Sequence, residues 1–243
     1  MEEKFEPERY SVIREKNKRE IVMLRGSGCK WKRCAFCDYH FDASQDEEAN
    51  FRLNEQELNK VTGLYHKLEV INSGSFCDLD ERTIEKIIAV CKEKEIGEIH
   101  FECHWIHRRE AADFRKRFAD QGMIVKIKTG IETFDQHMRQ DVMKKGLPEN
   151  DPEVIAQYFD EACFLFGLSG QTEASMRYDI ETGLAHFERI CLNVMVENTT
   201  SIKPDPDVIK VFRERIYPDY IENERVDILM ENTDFGVGGE KHV

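Results

Sequence analysis

Short apolar runs alternate with amphipathic stretches from residue 20 almost to the end of the chain. The runs fall at 20–24, 68–71, 98–101, 123–127, 162–168, 190–196 and 226–230, each rich in Val, Ile, Leu or Phe. Continuous hydrophobicity of this kind predicts strands covered on both faces, as in a parallel sheet. Between the runs, apolar residues recur at three- and four-residue spacing, as in Ile84, Ile87, Ile88 and Cys91, which predicts helices with one buried stripe. The expected helices are 53–67, 80–94, 107–120, 134–145, 152–159, 172–187 and 204–216. Asp80, Thr172 and Pro204-Asp205-Pro206 supply cap chemistry and first-turn proline for three of them. Six strand–helix units and a seventh strand predict an α/β fold: a partial (β/α)6 TIM-type barrel with a parallel sheet, as a single domain over 20–243. Residues 1–19 read as a polar N-terminal arm, helical or loosely ordered. An open doubly wound sheet is the alternative, but polar, site-like residues after nearly every strand favour the barrel, whose active sites sit at the carboxyl ends of the strands.

Composition narrows the partners. Of 243 residues, 34% are charged and 40% hydrophobic, with 35 Lys and Arg against 48 Asp and Glu and a formal net charge of −13. So acidic a chain argues against a general phosphate-backbone binder, and weakly against a whole-tRNA substrate. No run approaches the ~18 apolar residues of a membrane span, and the charged N-terminus lacks the apolar core of a secretion signal. A soluble, cytoplasmic protein with no membrane partner is expected.

In that setting the eight cysteines should be thiols or metal ligands, not disulfides. Cys77, Cys91, Cys103, Cys163 and Cys191 lie within periodic or apolar segments and read as small core hydrophobes. Cys29, Cys34 and Cys37 are crowded into the loop after the first strand, directly behind Gly26-Ser27-Gly28. Lys30, Lys32 and Arg33 are expected to lower their thiol pKa values. Three kinds of centre suit this loop. One is structural zinc with Asp38 or His40 as the fourth ligand. Another is a two-iron cluster, whose plant-type C-x4-C-x2-C spacing needs a fourth cysteine such as Cys77. The third is a four-iron cluster on three cysteines, with one iron open to substrate or cofactor.

The loop, Phe36 just before its third cysteine, and the later strand-end segments together resemble the radical S-adenosylmethionine (SAM) superfamily. Those segments are Asn72-Ser73-Gly74-Ser75-Phe76, Phe101-Glu102-Cys103-His104, Lys128-Thr129-Gly130-Ile131-Glu132-Thr133, Gly167-Leu168-Ser169-Gly170-Gln171-Thr172-Glu173 and Glu197-Asn198-Thr199-Thr200. One departure is the extra residue between Cys29 and Cys34, since the superfamily's usual spacing is C-x3-C-x2-C. The resemblance spans about 19–231. It implies a [4Fe–4S] cluster on Cys29, Cys34 and Cys37, SAM at the open iron, and reductive cleavage of SAM to a 5′-deoxyadenosyl radical. An external electron donor of the flavodoxin or ferredoxin type follows from that chemistry. Gly74 and Ser75 would approach the SAM amino group, Glu102 and Glu132 its ribose hydroxyls, and Phe36 and Tyr39 its adenine, with Ser169 in the element near the adenine. The candidate catalytic groups are His104, Glu197 and Lys128; Lys126 and Lys128 share one face of their strand. The candidate substrate contacts are His40, Asn198, Glu231 and Asn232.

With no second cysteine cluster and no accessory domain, a small nucleoside-like substrate is expected. Carboxylates at the late strand ends suit a guanine-like edge, which offers two parallel donors. In length and cysteine spacing the chain is similar to the queuine lyase branch, which releases the base queuine from queuosine or its 5′-phosphate. The alternatives are another small radical SAM enzyme (an activase or small-molecule modifying enzyme) and an iron–sulfur electron-transfer protein.

Overall fold

A computed structural model describes residues 6–239. Its eight strands form one sheet in which spatial order follows chain order. They are β1 (Tyr10–Ile13), β2 (Arg19–Leu24), β3 (Lys67–Asn72), β4 (Glu98–Glu102), β5 (Ile124–Glu132), β6 (Glu161–Phe166), β7 (Arg189–Val194) and β8 (Val226–Leu229). β2 to β8 pair in parallel, while β1 lies antiparallel on the outer edge of β2. Helices α1 (Glu47–Leu58), α2 (Glu81–Glu93), α3 (Ala111–Ala119), α4 (Pro152–Ala156), α5 (Glu173–His186) and α6 (Pro206–Val211) return the chain between successive parallel strands. α6 runs through a π turn, Phe212–Ile216, into α7 (Tyr217–Tyr220). This is a single-domain partial TIM-type barrel, its main apolar core lying between the sheet and the outer helices.

The other face of the sheet is concave, and polar side chains fill its lower half. Arg19 of β2 pairs with Glu69 of β3 and reaches Asp227 of β8 at 3.1 Å. Arg189 of β7 meets Asp227 at 2.8 Å, Glu161 of β6 at 2.8 Å and Glu69 at 3.6 Å. Lys128 of β5 pairs with Glu69 and stands 3.5 Å from Glu102 of β4. Residues on distant strands touch only because the sheet curls round on itself. Burial alone would raise Glu69; the cations Lys128, Arg19 and Arg189 outweigh it and hold the carboxyl well below the usual range.

Four expectations need correction. The N-terminal arm is neither helical nor loose where it is described: Tyr10–Ile13 is a strand, held by Tyr10 Oη donating to Glu20 at 2.6 Å. The first helix starts at Glu47 rather than 53, because Asp46 caps it by accepting from Ala49 N at 3.0 Å. Its buried positions include Asn50, Asn54 and Glu57, so a search for apolar periodicity passes over it. Asn54 earns burial by accepting from Arg25 N and donating to Arg25 O, both at 2.8 Å. The helix expected at 134–145 is only a π turn, Met138–Val142, and β5 runs on through Glu132 beyond its expected end at 127.

Glu69→Ala would leave Arg19 and Lys128 buried and facing one another. Urea unfolding should then show a loss of about 3–5 kcal/mol. A loss below about 1 kcal/mol would mean the lumen charges do not act as one network.

Candidate active site

The cysteine loop crosses the carboxyl end of the sheet and is tied to several of the strand ends it passes. Cys29 N donates to Ser73 O at 3.2 Å after β3, and Ser27 N to Asp78 O at 2.9 Å. After β5, Ala35 N donates to Met143 O at 2.9 Å and Trp31 Nε1 to Lys144 O at 2.8 Å. After β7, Asn198 Nδ2 donates to Phe36 O at 2.7 Å, and Asp38 accepts from Thr199 N at 3.0 Å and Thr199 Oγ1 at 3.1 Å. Gly146, at φ +71°, lies so close to the Trp31 ring that a side chain would collide with it. A glycine suits both that left-handed backbone and that contact.

Below the loop is one cleft. It brings together Cys29, Cys34, Cys37, Phe36, Tyr39, Gly74, Glu102, His104, Lys128, Glu132, Asn198 and Asn232. Lys145, Cys163 and Asn193 also line it, and the sequence reading singled out none of them for the site. All eight cysteines are free thiols. Burial pushes Cys34 up to about 12 and raises Cys37 as well, so the lowering expected from Lys30, Lys32 and Arg33 does not prevail. Those three cations are exposed, and the nearest effective positive charge is Lys145. The donor set fits an iron–sulfur cluster. Three soft thiols share one pocket, and binding a positive centre would supply the driving force to expel their protons. Among the described residues no three His, Cys, Asp or Glu side chains converge as they would round a single ion. A cubane asks for a different arrangement, one thiolate on each of three irons.

Two lysine–carboxylate pairs floor and wall the cleft. Lys145 Nζ lies 2.7 Å from Glu132 Oε1 and 5.8 Å from the Phe36 ring centroid. Burial would lower Lys145, but Glu132 outweighs it and keeps the ammonium charged. Glu132 holds φ at +69°, at a break in the ladder between β5 and β6. A non-glycine residue in that region is strained, and such strain gathers at functional sites. The second pair is Lys128 with Glu102, where burial and the nearby Glu69 push the Glu102 carboxyl up against the pull of Lys128. Lys126, on the same face of β5, pairs with Glu188 at 2.6 Å.

His104 lines the cleft without a free nitrogen. Nε2 bonds Lys145 O at 2.8 Å, and Nδ1 accepts from Ile106 N at 3.3 Å. A carbonyl only accepts, so Nε2 carries the proton and the ring is neutral. Burial, reinforced by Lys145, lowers it to about 4. His104 therefore orients the Lys145 segment; it is not placed as a proton donor.

Other expected site residues stand elsewhere. Ser75 is buried, its Oγ accepting from His104 N at 2.9 Å and its N donating to Asp78 at 2.8 Å, so it braces the strand end beneath the cleft. The same Asp78 carboxylate occupies the space a Gly74 side chain would need. Ser169 is exposed and donates to Asp205 at 2.8 Å. Glu197 is exposed and paired with Lys203. Glu231 is exposed outside the cleft, its N donating to Asp234 at 2.9 Å. The His40 side chain lies outside the described residues.

No protein-family model matches the chain, and no curated protein matches it. Among solved structures it aligns with a queuine lyase from Clostridium spiroforme bound to SAM and queuine, at 42% identity over 96% of this chain and 100% of that one, with a TM-score of 0.92. A putative sporulation-specific glycosylase from Bacillus subtilis aligns at 10% identity over 86% of this chain and 79% of its own, with a TM-score of 0.35. That likeness carries no argument.

After anaerobic reconstitution, Cys29→Ala, Cys34→Ala and Cys37→Ala should each lose bound iron, while Cys77→Ala keeps the wild-type content. Iron lost from Cys77→Ala would instead favour a centre with four cysteine ligands. His104 offers a pH test. A histidine held neutral by the fold stabilises fully above its unfolded pKa of ~6.5, and this is lost as pH falls toward 4. Metal-free wild-type protein should lose about 3 kcal/mol more than His104→Gln between pH 7 and 4, read by urea unfolding. Parallel curves for the two would remove the assigned neutral ring.

Proposed function

We propose that this chain, which belongs to the queuine lyase family of radical SAM enzymes, releases queuine from queuosine or queuosine 5′-phosphate. The full-length likeness to a queuine lyase carries this reading, and the cleft is built to suit it. Cys29, Cys34 and Cys37 would hold a [4Fe–4S] cluster. When bound, the reduced cluster and SAM supply a 5′-deoxyadenosyl radical that removes a hydrogen atom from the substrate. The electron comes from outside, from a donor of the flavodoxin or ferredoxin type. The reading includes a cytoplasmic location, which the eight free thiols support.

The chain's own residues bind and orient. Phe36 and Tyr39 offer aromatic faces at the loop side of the cleft, where a purine can stack. Glu132 and Glu102 face the cleft as acceptors, each steered by one lysine, so each can take paired donors from a ribose diol or a guanine-like edge. Lys128 is already engaged by Glu69 and Glu102, which makes it a positioning residue for Glu102. Lys145 is less encumbered: one carboxylate partner and a ring leave its remaining donors for a ligand carboxylate or phosphate. Asn193, Asn198 and Asn232 line the cleft on its β7–β8 side and supply neutral donors and acceptors there. The loop roofs the site.

The test is anaerobic turnover of reconstituted protein with dithionite, SAM and queuosine or its 5′-phosphate, read by mass spectrometry. Both 5′-deoxyadenosine and queuine should form, and only when the nucleoside is present. 5′-Deoxyadenosine without queuine would keep the radical chemistry and reject this substrate. Neither product, from protein with full iron, would point to an electron carrier.

A further inference from the structure

Two buried thiols have no part in the reading above. Cys163 of β6 and Cys191 of β7 are partners in the parallel ladder, so their side chains project side by side from one face of the sheet. Cys163 is 9% exposed and Cys191 6%. Leu229 and Phe235 pack against them on the apolar side. On the other side Cys163 lines the cleft, and Cys191 Sγ donates to Asn193 Oδ1 at 3.5 Å, a residue that lines it too. The thiols therefore sit between the charged lower lumen, where Glu161 and Arg189 pair two residues earlier on the same strands, and the space for substrate.

Filling space is one role for such a pair, but an apolar side chain would do it without risk. An S–H bond is weaker than a C–H bond of a sugar, so a carbon radical formed within reach takes the thiol hydrogen. The neighbouring Cys191 thiol, together with burial, holds Cys163 well above the ordinary thiol range. The proton is therefore in place at neutral pH.

We infer that Cys163 returns a hydrogen atom to the substrate-derived sugar radical, with Cys191 as its relay partner, and that SAM is consumed in each turnover. This rests on the lyase reading. Removal of hydrogen from the ribose carbon next to the anomeric centre leaves a radical there. The bond from the anomeric carbon to the base breaks heterolytically. The base departs with the electron pair and takes up a proton, and the neighbouring hydroxyl loses one. That leaves a carbonyl beside a radical at the anomeric carbon. A C–H bond then forms as the Cys163 S–H bond breaks, and the thiyl radical exchanges hydrogen with Cys191. One electron from the flavodoxin- or ferredoxin-type donor and one proton from solvent restore the thiol.

The test uses the reconstituted enzyme in D2O with the sugar product trapped by borohydride. Wild type should place one carbon-bound deuterium in the sugar and form 5′-deoxyadenosine and queuine in equal amounts. Cys163→Ser, whose O–H bond is too strong to donate, should keep its iron and form 5′-deoxyadenosine and queuine together in a first turnover. Its sugar should lose the deuterium, and later turnovers should slow about tenfold or more for both products. Cys77→Ala should label like wild type. A deuterium-free sugar from wild type, with queuine formed, would overturn the inference by showing that hydrogen returns from 5′-deoxyadenosine. Undiminished labelling in Cys163→Ser would overturn it as well. The wild-type result stands whether or not a variant folds, and absence of queuine from wild type would reject the lyase reading itself.

Discussion

The Glu69 carboxylate sets the depth of the cleft. It takes Arg19 from β2 and Lys128 from β5 while standing 3.6 Å from Arg189 of β7, and so ties strands that share no ladder. An apolar plug would fill the same volume, but it would not orient anything above it. Through Lys128 the network continues to Glu102, so the lower lumen and the floor of the site are one connected set of charges. Charges removed from water this thoroughly are tolerable only when all partners are present. The site inherits that requirement: its floor is rigid because the layer beneath cannot be partly formed.

The roof follows a different logic. Several of the cysteine loop's tethers use main-chain groups, such as Cys29 N to Ser73 O and Ala35 N to Met143 O. Main-chain tethers fix position whatever side chains the loop carries, which suits a segment whose cysteines are reserved for an inorganic centre. Lys145 belongs to this layer, held through its carbonyl by His104 and through its ammonium by Glu132. Floor and roof thus meet the substrate space with one lysine–carboxylate pair each.

Much of this was legible in the chain. Seven parallel strands announced themselves because each carries a short apolar run packed in the interior. The cysteine triplet did so because no core explains three thiols in nine positions. What stayed hidden was burial achieved by polar groups. α1 buries Asn50, Asn54 and Glu57, and the lumen buries Arg19, Glu69 and Arg189, none of which hydropathy can flag. β1 escaped because its pattern is half-buried throughout. Lys145 escaped because it lies on a loop, beyond any strand-end motif. Gly146 beside it was the available signal, a glycine the Trp31 contact demands. Ser75, Ser169, Glu197 and Glu231 had the right chemistry in the right neighbourhood. Each is claimed by a local partner or lies outside the cleft, which only coordinates reveal.

β1 and β8 are the two edges of the sheet, and no backbone ladder joins them. The gap is bridged by side chains, Arg19 and Asn17 both reaching Asp227, the latter at 2.8 Å, and beyond the strands by main-chain bonds between Glu8 and the 238–239 segment, Glu8 N to Gly239 O and Gly238 N to Glu8 O, both at 2.8 Å. A closed barrel fixes its girth through strand number and stagger, and neither changes by point mutation. Here the girth depends on one seam held by a few side chains and a pair of main-chain bonds, in place of a full ladder. Single substitutions can therefore retailor the width of this frame, which leaves its descendants free to take larger or smaller guests without a new topology.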